Sequence, residues 1–309
     1  MAVRICGATE KDLPEVRELL RVTFRGPGFQ PGAVAPFYVA YDICDPWFRP
    51  EQYRFRRRRG KTVSALKVYV RTLHHRDGPI PVTVIGAVCT AERLRGRGLI
   101  GPVIEDALAY SRRIGAKAQF IVTPRRNYYL RHGYRYFETT EYSGRLPEVA
   151  PKGVRIEPLH RGDAGWMTDL FNAASLGYGP IVRTEEYTGK WVLQMRLAQP
   201  DALGLKLLRR GRPAAYLCAR AEKGALRIVE TASRRRDGAD EATLAACLRF
   251  LGAGRFRAHV PAAHPLLRGL RAAGARLRSA RIERCMVYPL DDAFPMPDDG
   301  FCYSFFDLV

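Results

Sequence analysis

An arginine- and glycine-rich turn is the segment of this 309-residue sequence whose residue types most clearly could do chemistry. It runs Arg93-Leu-Arg-Gly-Arg-Gly-Leu-Ile-Gly101, between a predicted strand and a predicted helix. The first turn of a helix presents N–H groups without partners and the positive end of the helix dipole, which together attract anions. Gly96 and Gly98 carry no Cβ, so a ligand can approach the backbone, and the three arginines add positive charge. The segment predicts a pyrophosphate site; the alternative is a tight turn that needs glycine for its backbone angles.

Two classes of phosphorylated ligand fit such a site, and the first is a dinucleotide. Read literally, Gly96–Gly101 is a G-x-G-x-x-G pattern. That pattern normally follows the first strand of a βαβ unit directly, and an acidic ribose ligand follows about 20 residues later. Here a polar run, AERLR, separates strand and glycines, and residues 116–124 contain no acid. Arg125 and Arg126 could bind a 2′-phosphate, so an NADP-dependent oxidoreductase is one alternative.

The second class is an acyl-CoA, and a downstream segment carries a residue type that such chemistry needs. This segment is Asn127-Tyr-Tyr-Leu-Arg-His-Gly-Tyr134. Attack of an amine on a thioester requires a neutral amine, a donor for the oxyanion and an acid for the departing sulfur. A tyrosine O–H, with a pKa of about 10 in water, can donate that proton at neutral pH. Taken alone, Tyr129 is better explained as a buried aromatic residue; beside an anion site it becomes a candidate acid, and Tyr128 is expected to be the core residue.

Both segments resemble the Gcn5-related N-acetyltransferase (GNAT) superfamily. Arg95-Gly-Arg-Gly98 after a strand is similar to its motif A, and the Asn127–Tyr134 segment is similar to its F-Y-x-R-x-G-[FY] helix and turn. With IGAVCT upstream, the match covers about residues 80–137 and resembles the enhanced-intracellular-survival type, which carries one active and one degenerate GNAT domain in tandem. Ile100 departs from the Gly or Ala of many members, and the chain is shorter than expected for that type's third, sterol-carrier-like domain.

The resemblance implies a role for each matching residue. Val88, Cys89 and Thr90 would contact the pantetheine arm of acetyl-CoA, the co-substrate, and Tyr129 would protonate the departing CoA thiolate. In survival-type enzymes the C-terminal carboxylate acts as the base for the incoming amine, which would here be that of Val309; the alternative is that the tail only completes a sheet. The pyrophosphate would be held by Arg95, Gly96, Arg97, Gly98, Leu99, Ile100 and Gly101.

Other polar residues are weaker candidates. Asp42 and Asp45, in an aromatic segment predicted to be a long loop, could bind a cationic acceptor or form ordinary Asx turns. His74 and His75 have no third ligand at a suitable spacing, so no metal site is expected. The turn 234–239 corresponds to the glycine-rich turn but lacks paired glycines and carries an aspartate that would face phosphates. The second half of the chain is therefore not expected to bind CoA.

Composition restricts the class of protein further. The chain has 51 basic and 31 acidic residues, and the 47 residues 51–97 carry 12 basic and 3 acidic side chains, a clustering that codon preference does not explain. An anionic partner is the functional explanation: a phosphorylated cofactor or a nucleic acid. Seven scattered cysteines indicate reduced thiols in a cytoplasm, and no apolar run reaches the roughly 20 residues that span a bilayer, so no membrane is expected.

The order of predicted elements repeats once, on either side of LPEVAPKG at 146–153. We expect a mixed α/β (α+β) fold of two tandem GNAT-like domains, each a mixed, largely antiparallel sheet flanked by helices. Residues 1–147 would form the catalytic domain, and residues 153–309 a degenerate domain with the C-terminal tail.

The function that agrees best with these observations is transfer of an acetyl group from acetyl-CoA to a primary amine by direct attack. The acceptor would be a small molecule or a peptide. Besides the NADP-dependent oxidoreductase, an acetyltransferase that acts on aminoacyl-tRNA, or a basic RNA-binding protein, is an alternative. The sequence leaves a homo-oligomer open.

Overall fold

The computed structural model of the chain describes residues 4–24, 34–148, 153–174, 181–297 and 301. In these residues twelve strands form one continuous sheet. The strands are β1 (Arg4–Gly7), β2 (Tyr53–Arg58), β3 (Lys61–Leu73), β4 (Ile80–Thr90), β5 (Ala118–Val122), β6 (Arg135–Arg145), β7 (Arg155–Pro158), β8 (Ala202–Arg209), β9 (Arg212–Glu222), β10 (Ala225–Ser233), β11 (Arg255–His259) and β12 (Leu277–Pro289).

Eight helices are present in the same ranges, and a π-helical segment, Thr188–Arg196, continues the sixth. The helices are α1 (Leu13–Thr23), α2 (Val34–Cys44), α3 (Gly101–Arg113), α4 (Arg126–Leu130), α5 (Ala164–Ala174), α6 (Glu185–Tyr187), α7 (Ala239–Cys247) and α8 (Pro265–Ala272). None of them is long and apolar enough to cross a membrane.

The strand order is β1-β2-β3-β4-β5-β12-β6-β11-β10-β9-β8-β7. Only two neighbouring pairs are parallel, β4 with β5 and β10 with β11; the others are antiparallel. The expected mixed, largely antiparallel architecture is confirmed. It differs from a dinucleotide-binding domain, whose sheet is mostly parallel.

The two halves of the chain exchange their last strands. β12, from the second half, lies between β5 and β6 of the first half, and β6 in turn pairs with β11 of the second half. The longest of these ladders joins Leu277–Val287 to Gly144–Arg135. The sequence division at residues 147 and 153 stays a prediction, and in space the two halves interlock across it.

Helices cover the first half of the sheet on both faces. Val103, Ile104, Ala107 and Leu108 give α3 an apolar face that packs with Tyr129 of α4. The opposite face of the same strands is covered by α1. The cleft described below therefore opens inside a two-sided core rather than at a sheet surface.

The helix α2 was not predicted, because the segment 25–50 is rich in glycine and proline and was expected to be a loop. Pro36 lies in the first turn of α2, where a missing N–H costs no helical hydrogen bond. Strand β6 was likewise missed, since its sequence, RYFETTEYSGR, alternates only weakly between apolar and polar residues.

Candidate functional site

A cleft between β4 and β5 is the central feature of the first half. These parallel strands are paired only from Val82 with Ala118 to Val84 with Phe120. Beyond Val84, β4 continues to Thr90 along β3, whereas Val122 at the end of β5 pairs with Cys285 of β12. The strands therefore separate, and in the described residues no strand pairs with the β5-facing edge of the last part of β4.

A β-bulge accompanies this separation. Ala65 pairs with Cys89 and Lys67 with Gly86, so that two residues of β4, Ala87 and Val88, oppose one residue of β3. Ala87 has a φ of 53°, in the left-handed region that non-glycine residues rarely adopt. Bulges bend and twist the strand that carries them. The bulge thus turns the end of β4 away from β5 and widens the cleft.

The glycine-rich turn follows β4, as predicted. Gly96 and Gly98 have φ values of 77° and 67°, and an added Cβ at either would meet no atom within 4 Å. The backbone conformation therefore favours glycine at both positions, and the space beside them is open to a ligand. Gly101 is different, because a Cβ there would approach Cε1 of His132 to 3.2 Å. Its glycine allows close packing of α3 against the end of α4.

The start of α3 has the features of an anion site. No side chain caps its N-terminus, and its first turn contains no acidic residue. The side chains of Arg93, Arg95 and Arg97 are exposed beside it, and within the described ranges none of the three forms an ion pair. At the start of α3 itself, Pro102 has no N–H, and the N–H groups of Val103 and Ile104 donate to the Ile100 carbonyl oxygen. The backbone of the glycine-rich turn, together with its three exposed guanidinium groups, is therefore the part that can bind an anion.

Leu99 and Ile100 connect this turn to the core. Leu99 is buried, and its carbonyl oxygen accepts a hydrogen bond from Nη1 of Arg56 at 3.5 Å. Ile100 packs against the same apolar cluster as Tyr129. The predicted phosphate-binding segment and the predicted acid are thus parts of one packed unit.

Tyr129 is the buried member of the tyrosine pair, with 4% of its surface exposed, while Tyr128 is half-buried. The expectation that Tyr128 is the core residue is therefore wrong. The ring of Tyr129 packs edge-on against Tyr128 and Tyr134, and Val88 at the end of β4 joins the same cluster. In the described part of the chain its hydroxyl has no hydrogen-bond partner. Burial raises the pKa of Tyr129, so it carries its proton at neutral pH.

The three residues at the end of β4 differ in orientation. The side chain of Cys89 packs on the opposite face of the sheet, in the cluster formed with α1, whereas Val88 faces α3 and α4. Burial raises the pKa of the Cys89 thiol to about 12, which makes it unreactive as a nucleophile. The Thr90 hydroxyl lies 3.0 Å from the Ser64 hydroxyl. Only the backbone of Cys89 can therefore face the cleft.

Asp42 and Asp45 are not free to bind a cationic acceptor. Asp42 lies on α2, and its Oδ1 accepts a hydrogen bond from Nζ of Lys67 at 2.6 Å. Asp45 accepts a hydrogen bond from Nη2 of Arg71 at 3.0 Å. All four side chains are buried, so these are internal ion pairs. The hypothesis of an acceptor site at these carboxylates is not supported by their surroundings.

The same pairs explain part of the basic stretch at 51–97. Besides Lys67 and Arg71, Arg54 pairs with Asp106, and Arg57 pairs with acidic residues of and before α1. Four of the twelve cations are therefore held by carboxylates of the chain. In the described ranges the arginines of the glycine-rich turn form no ion pair, and neither do the exposed Arg58, Arg59 and Lys61 at the β2–β3 turn. This weakens the case for a nucleic-acid surface built on this stretch.

The second half repeats the cleft but closes it. β10 and β11 are parallel only over Leu226–Ile228, and a bulge follows between Ile228 and Glu230. At the start of α7, however, Oδ1 of Asp237 accepts a hydrogen bond from the Ala239 N–H at 3.0 Å. A Cβ on Gly238 would lie 1.9 Å from the Pro265 carbonyl oxygen, so α8 is packed directly on α7. An internal carboxylate therefore occupies the anion position at the start of α7.

Comparison with known proteins agrees with the site in the first half. Residues 4–137 match the model of a family described as acetyltransferase (GNAT) domain. This segment is a GNAT acetyltransferase domain. The GNAT match covers the glycine-rich turn and the tyrosine segment. No protein with a curated description matches the chain in sequence.

Solved GNAT structures share the fold of nearly the whole chain. A conserved protein from Enterococcus faecalis aligns with a TM-score of 0.73 and 15% identity, over 94% of this chain and 73% of its own. A GCN5-related N-acetyltransferase from Kribbella flavida gives 0.71 and 17%, over 94% and 71%. Eis1 from Mycobacterium abscessus gives 0.64 and 11%, over 94% and 74%. The expected tandem fold of the enhanced-intracellular-survival type is thereby confirmed at the level of architecture.

Two features of the site were not predicted. The β-bulge at Ala87 cannot be recognised from the residues IGAVCT, because it depends on how β4 is paired with β3. Phe301, in the aromatic tail, stacks on Phe120 with ring centres 5.7 Å apart, at the point where β4 and β5 separate. Val309 lies outside the described residues, and its role as a base stays a prediction.

Proposed function

We propose that the protein transfers an acetyl group from acetyl-CoA to a primary amine by direct attack. One observation carries the proposal: the cleft between β4 and β5 joins an arginine-flanked helix start without a side-chain cap to the cluster that contains Tyr129. A diphosphate at one end and a thioester at the other are the two chemical groups that acyl-CoA would bring to such a cleft.

Each part of the cleft has a defined task in this proposal. The glycine-rich turn before α3 would bind the diphosphate through its backbone N–H groups and the charge of its arginines. The unpaired edge of β4 beyond Val84 would offer backbone groups to the amides of the pantetheine arm, as another strand would. Residues 85–90 and Tyr129 would exclude water from the thioester, which strengthens every hydrogen bond made there.

The chemical step follows from these positions. The amine nitrogen attacks the thioester carbonyl carbon, the carbon–sulfur bond breaks, and the thiolate takes the proton of the Tyr129 hydroxyl. Because burial raises the pKa of Tyr129, the hydroxyl carries its proton at neutral pH and can donate it to the departing thiolate. A proton from solvent then restores the hydroxyl. The proton of the amine is lost to a base, for which the Val309 carboxylate remains our prediction. A few residues appended after Val309 should then reduce turnover.

Ligand-dependent melting tests the co-substrate. A ligand at a hundredfold excess over its Kd stabilises the native state by about 2.7 kcal/mol. Acetyl-CoA and CoA are expected to raise the melting temperature, and NADP is not. Gly98→Glu should abolish the shift, because it places a carboxylate where the diphosphate binds. Gly224→Glu is the matched control: its φ of 74° and open surroundings are similar, but it lies in the β9–β10 turn. Stabilisation by NADP alone would overturn the proposal.

Kinetics of Tyr129→Phe test the acid. The substitution keeps the packed ring and removes only the O–H, so kcat should fall by about 10²–10⁴-fold with little change in acetyl-CoA affinity. Tyr110→Phe, a buried tyrosine of the same cluster on α3, should keep its activity. An unchanged kcat in Tyr129→Phe would show that this ring only packs. Turnover is expected to vary little with salt, whereas an aminoacyl-tRNA acceptor would make it steeply salt-dependent.

A further inference from the structure

A second cavity lies in the other half of the chain, at the place that corresponds to the acyl-CoA cleft. It has a volume of about 700 Å³ and opens between the end of β10 and the first turns of α7 and α8, with the last turn of α5 as its far wall. Pockets of this volume hold cofactor-sized molecules. The acyl-CoA arrangement is closed here by Asp237 and by the contact of α8 with α7, so the cavity needs an occupant of different chemistry.

The rim of the cavity is strongly basic. Four arginines line it: Arg234, Arg235, Arg236 and Arg268. Arg235 is paired with Asp237, and Nε of Arg234 donates to the Pro213 carbonyl oxygen at 3.2 Å. Within the described ranges Arg236 and Arg268 have no carboxylate partner. Two exposed guanidinium groups on facing elements are the arrangement that binds a phosphate.

Deep in the cavity wall is an unsatisfied acceptor. Glu241, in the first turn of α7, is 1% exposed, and its Oε2 has no hydrogen-bond partner. A buried carboxylate oxygen without a donor costs roughly 1–3 kcal/mol or more, so a group that donates to it would be favoured strongly. Burial raises the pKa of Glu241 to about 7, which a donating ligand would lower again. The Ser233 hydroxyl already acts on this carboxyl through a hydrogen bond, and a ligand with N–H donors would supply the bond that Oε2 lacks.

Leu170, Ala173, Ala174 and Ala232 form the apolar part of the lining, which also contains Asp169, Thr231, Ser233 and His264. A ligand must therefore combine an anionic end, a flat or apolar middle and N–H donors at the other end. A nucleotide has these three parts in this order. Guanine presents two adjacent N–H donors to a carboxylate, whereas adenine presents one donor beside an acceptor.

We propose that this cavity binds a guanine nucleotide, with its phosphates on Arg236 and Arg268 and the base edge donating to Glu241. The ligand does not take part in acetyl transfer, because the cavity contains no counterpart of Tyr129: α8 has the sequence PLLRGLRA. The second half would then be a ligand-binding domain rather than a degenerate copy without a task.

Calorimetric titration of the full chain with GDP, ADP and pyrophosphate tests the proposal. All titrations use the Gly98→Glu variant, so that the turn in the first half does not contribute. GDP should bind at least tenfold more tightly than ADP, and pyrophosphate more weakly still. Binding of pyrophosphate as tight as that of GDP would reduce the site to an adventitious anion site, and absence of GDP binding would overturn the proposal.

Variants locate the site. Glu241→Gln keeps the shape of the side chain and removes the charge, and it should lower GDP affinity about tenfold, to the level of ADP. Arg268→Ala should weaken both nucleotides, whereas Arg271→Ala, on the same helix but outside the cavity, should weaken neither. Circular dichroism melts check that each variant is folded. GDP binding that is unchanged in Glu241→Gln and Arg268→Ala would place the nucleotide elsewhere and refute the assignment.

Discussion

Removing the charge of Asp42 should destabilise the protein strongly without affecting the binding of the amine. The Asp42 carboxylate lies 2.6 Å from Nζ of Lys67 and 2.7 Å from Nη2 of Arg17. At an effective dielectric constant of about 20, one such contact at this distance gives an attraction of about 6 kcal/mol. Desolvation of both ions offsets most of it, at several kcal/mol per ion. Asp42→Asn breaks this balance, because it removes the carboxylate that is hydrogen-bonded to the fully buried Lys67 ammonium.

We expect Asp42→Asn to lower the free energy of unfolding by about 3–5 kcal/mol at pH 7. Burial already lowers the pKa of Lys67, and loss of the carboxylate lowers it further. A base whose pKa is lower in the folded state binds more protons when unfolded, so the variant should regain stability as the pH rises toward about 10. Lys67→Met alone should cost less, because Asp42 keeps Arg17.

Urea denaturation of the parent, both single variants and the double variant measures the coupling. The double variant removes both buried charges, and it should be more stable than the sum of the single effects by at least about 2 kcal/mol. Amine KM is expected to be unchanged in Asp42→Asn when the assay is run well below its melting temperature. Additive effects, or normal stability combined with a raised KM, would show that Asp42 binds the acceptor rather than Lys67.

Three further outcomes are expected. Gly133→Ala places a Cβ 2.9 Å from the ring of Tyr288 at a φ of 84° and should cost about 1–3 kcal/mol in urea denaturation, whereas Gly252→Ala, at a φ of 85° in open space, should cost less. Burial lowers the pKa of His264, the N-cap of α8, to about 4, so the free energy of unfolding should fall by up to about 3 kcal/mol as the pH drops from 6.5 to 4. His264→Asn can still cap the helix, and thermal melts of this variant should lack that part of the pH dependence. Burial raises the pKa of Glu241 to about 7, so the contribution of this side chain to stability falls as the pH rises from 4.5 to 7. Glu241→Gln should therefore be more stable than the parent at pH 8 by up to about 3 kcal/mol. Equal stability of the two proteins at pH 8 would contradict this prediction.

Sequence reasoning found the parts of the site that are local in the chain. The glycine-rich turn and the tyrosine segment each follow from adjacent residues, and both belong to the cleft. Partners that are distant in sequence were missed, although one signal was available. Lys67 and Arg71 interrupt an otherwise apolar strand on one face, and buried cations at positions i and i+4 require carboxylates opposite them. Asp42 lies in α2 and Asp45 directly follows it, three residues later, which is a spacing that suits this pair of cations.

The order of strands was beyond sequence reasoning for a different reason. Period-two alternation identifies a strand and its buried face, but it does not specify a neighbour. β12 pairs with β5 and β6 over more than a hundred intervening residues, and no turn connects it to either. The sequence predicted the repeated order of elements apart from α2 and β6, and it could not predict that the repeats interlock.

The exchange of β6 and β12 has a consequence for how the chain reaches this state during synthesis. When residues 1–147 have left the ribosome, the edges of β5 and β6 that β12 will fill are still open, and residues 277–289 remain to be translated. At about 5–20 residues per second, more than a hundred residues keep those edges exposed for several seconds. The acetyltransferase domain therefore completes its sheet last, although it is made first.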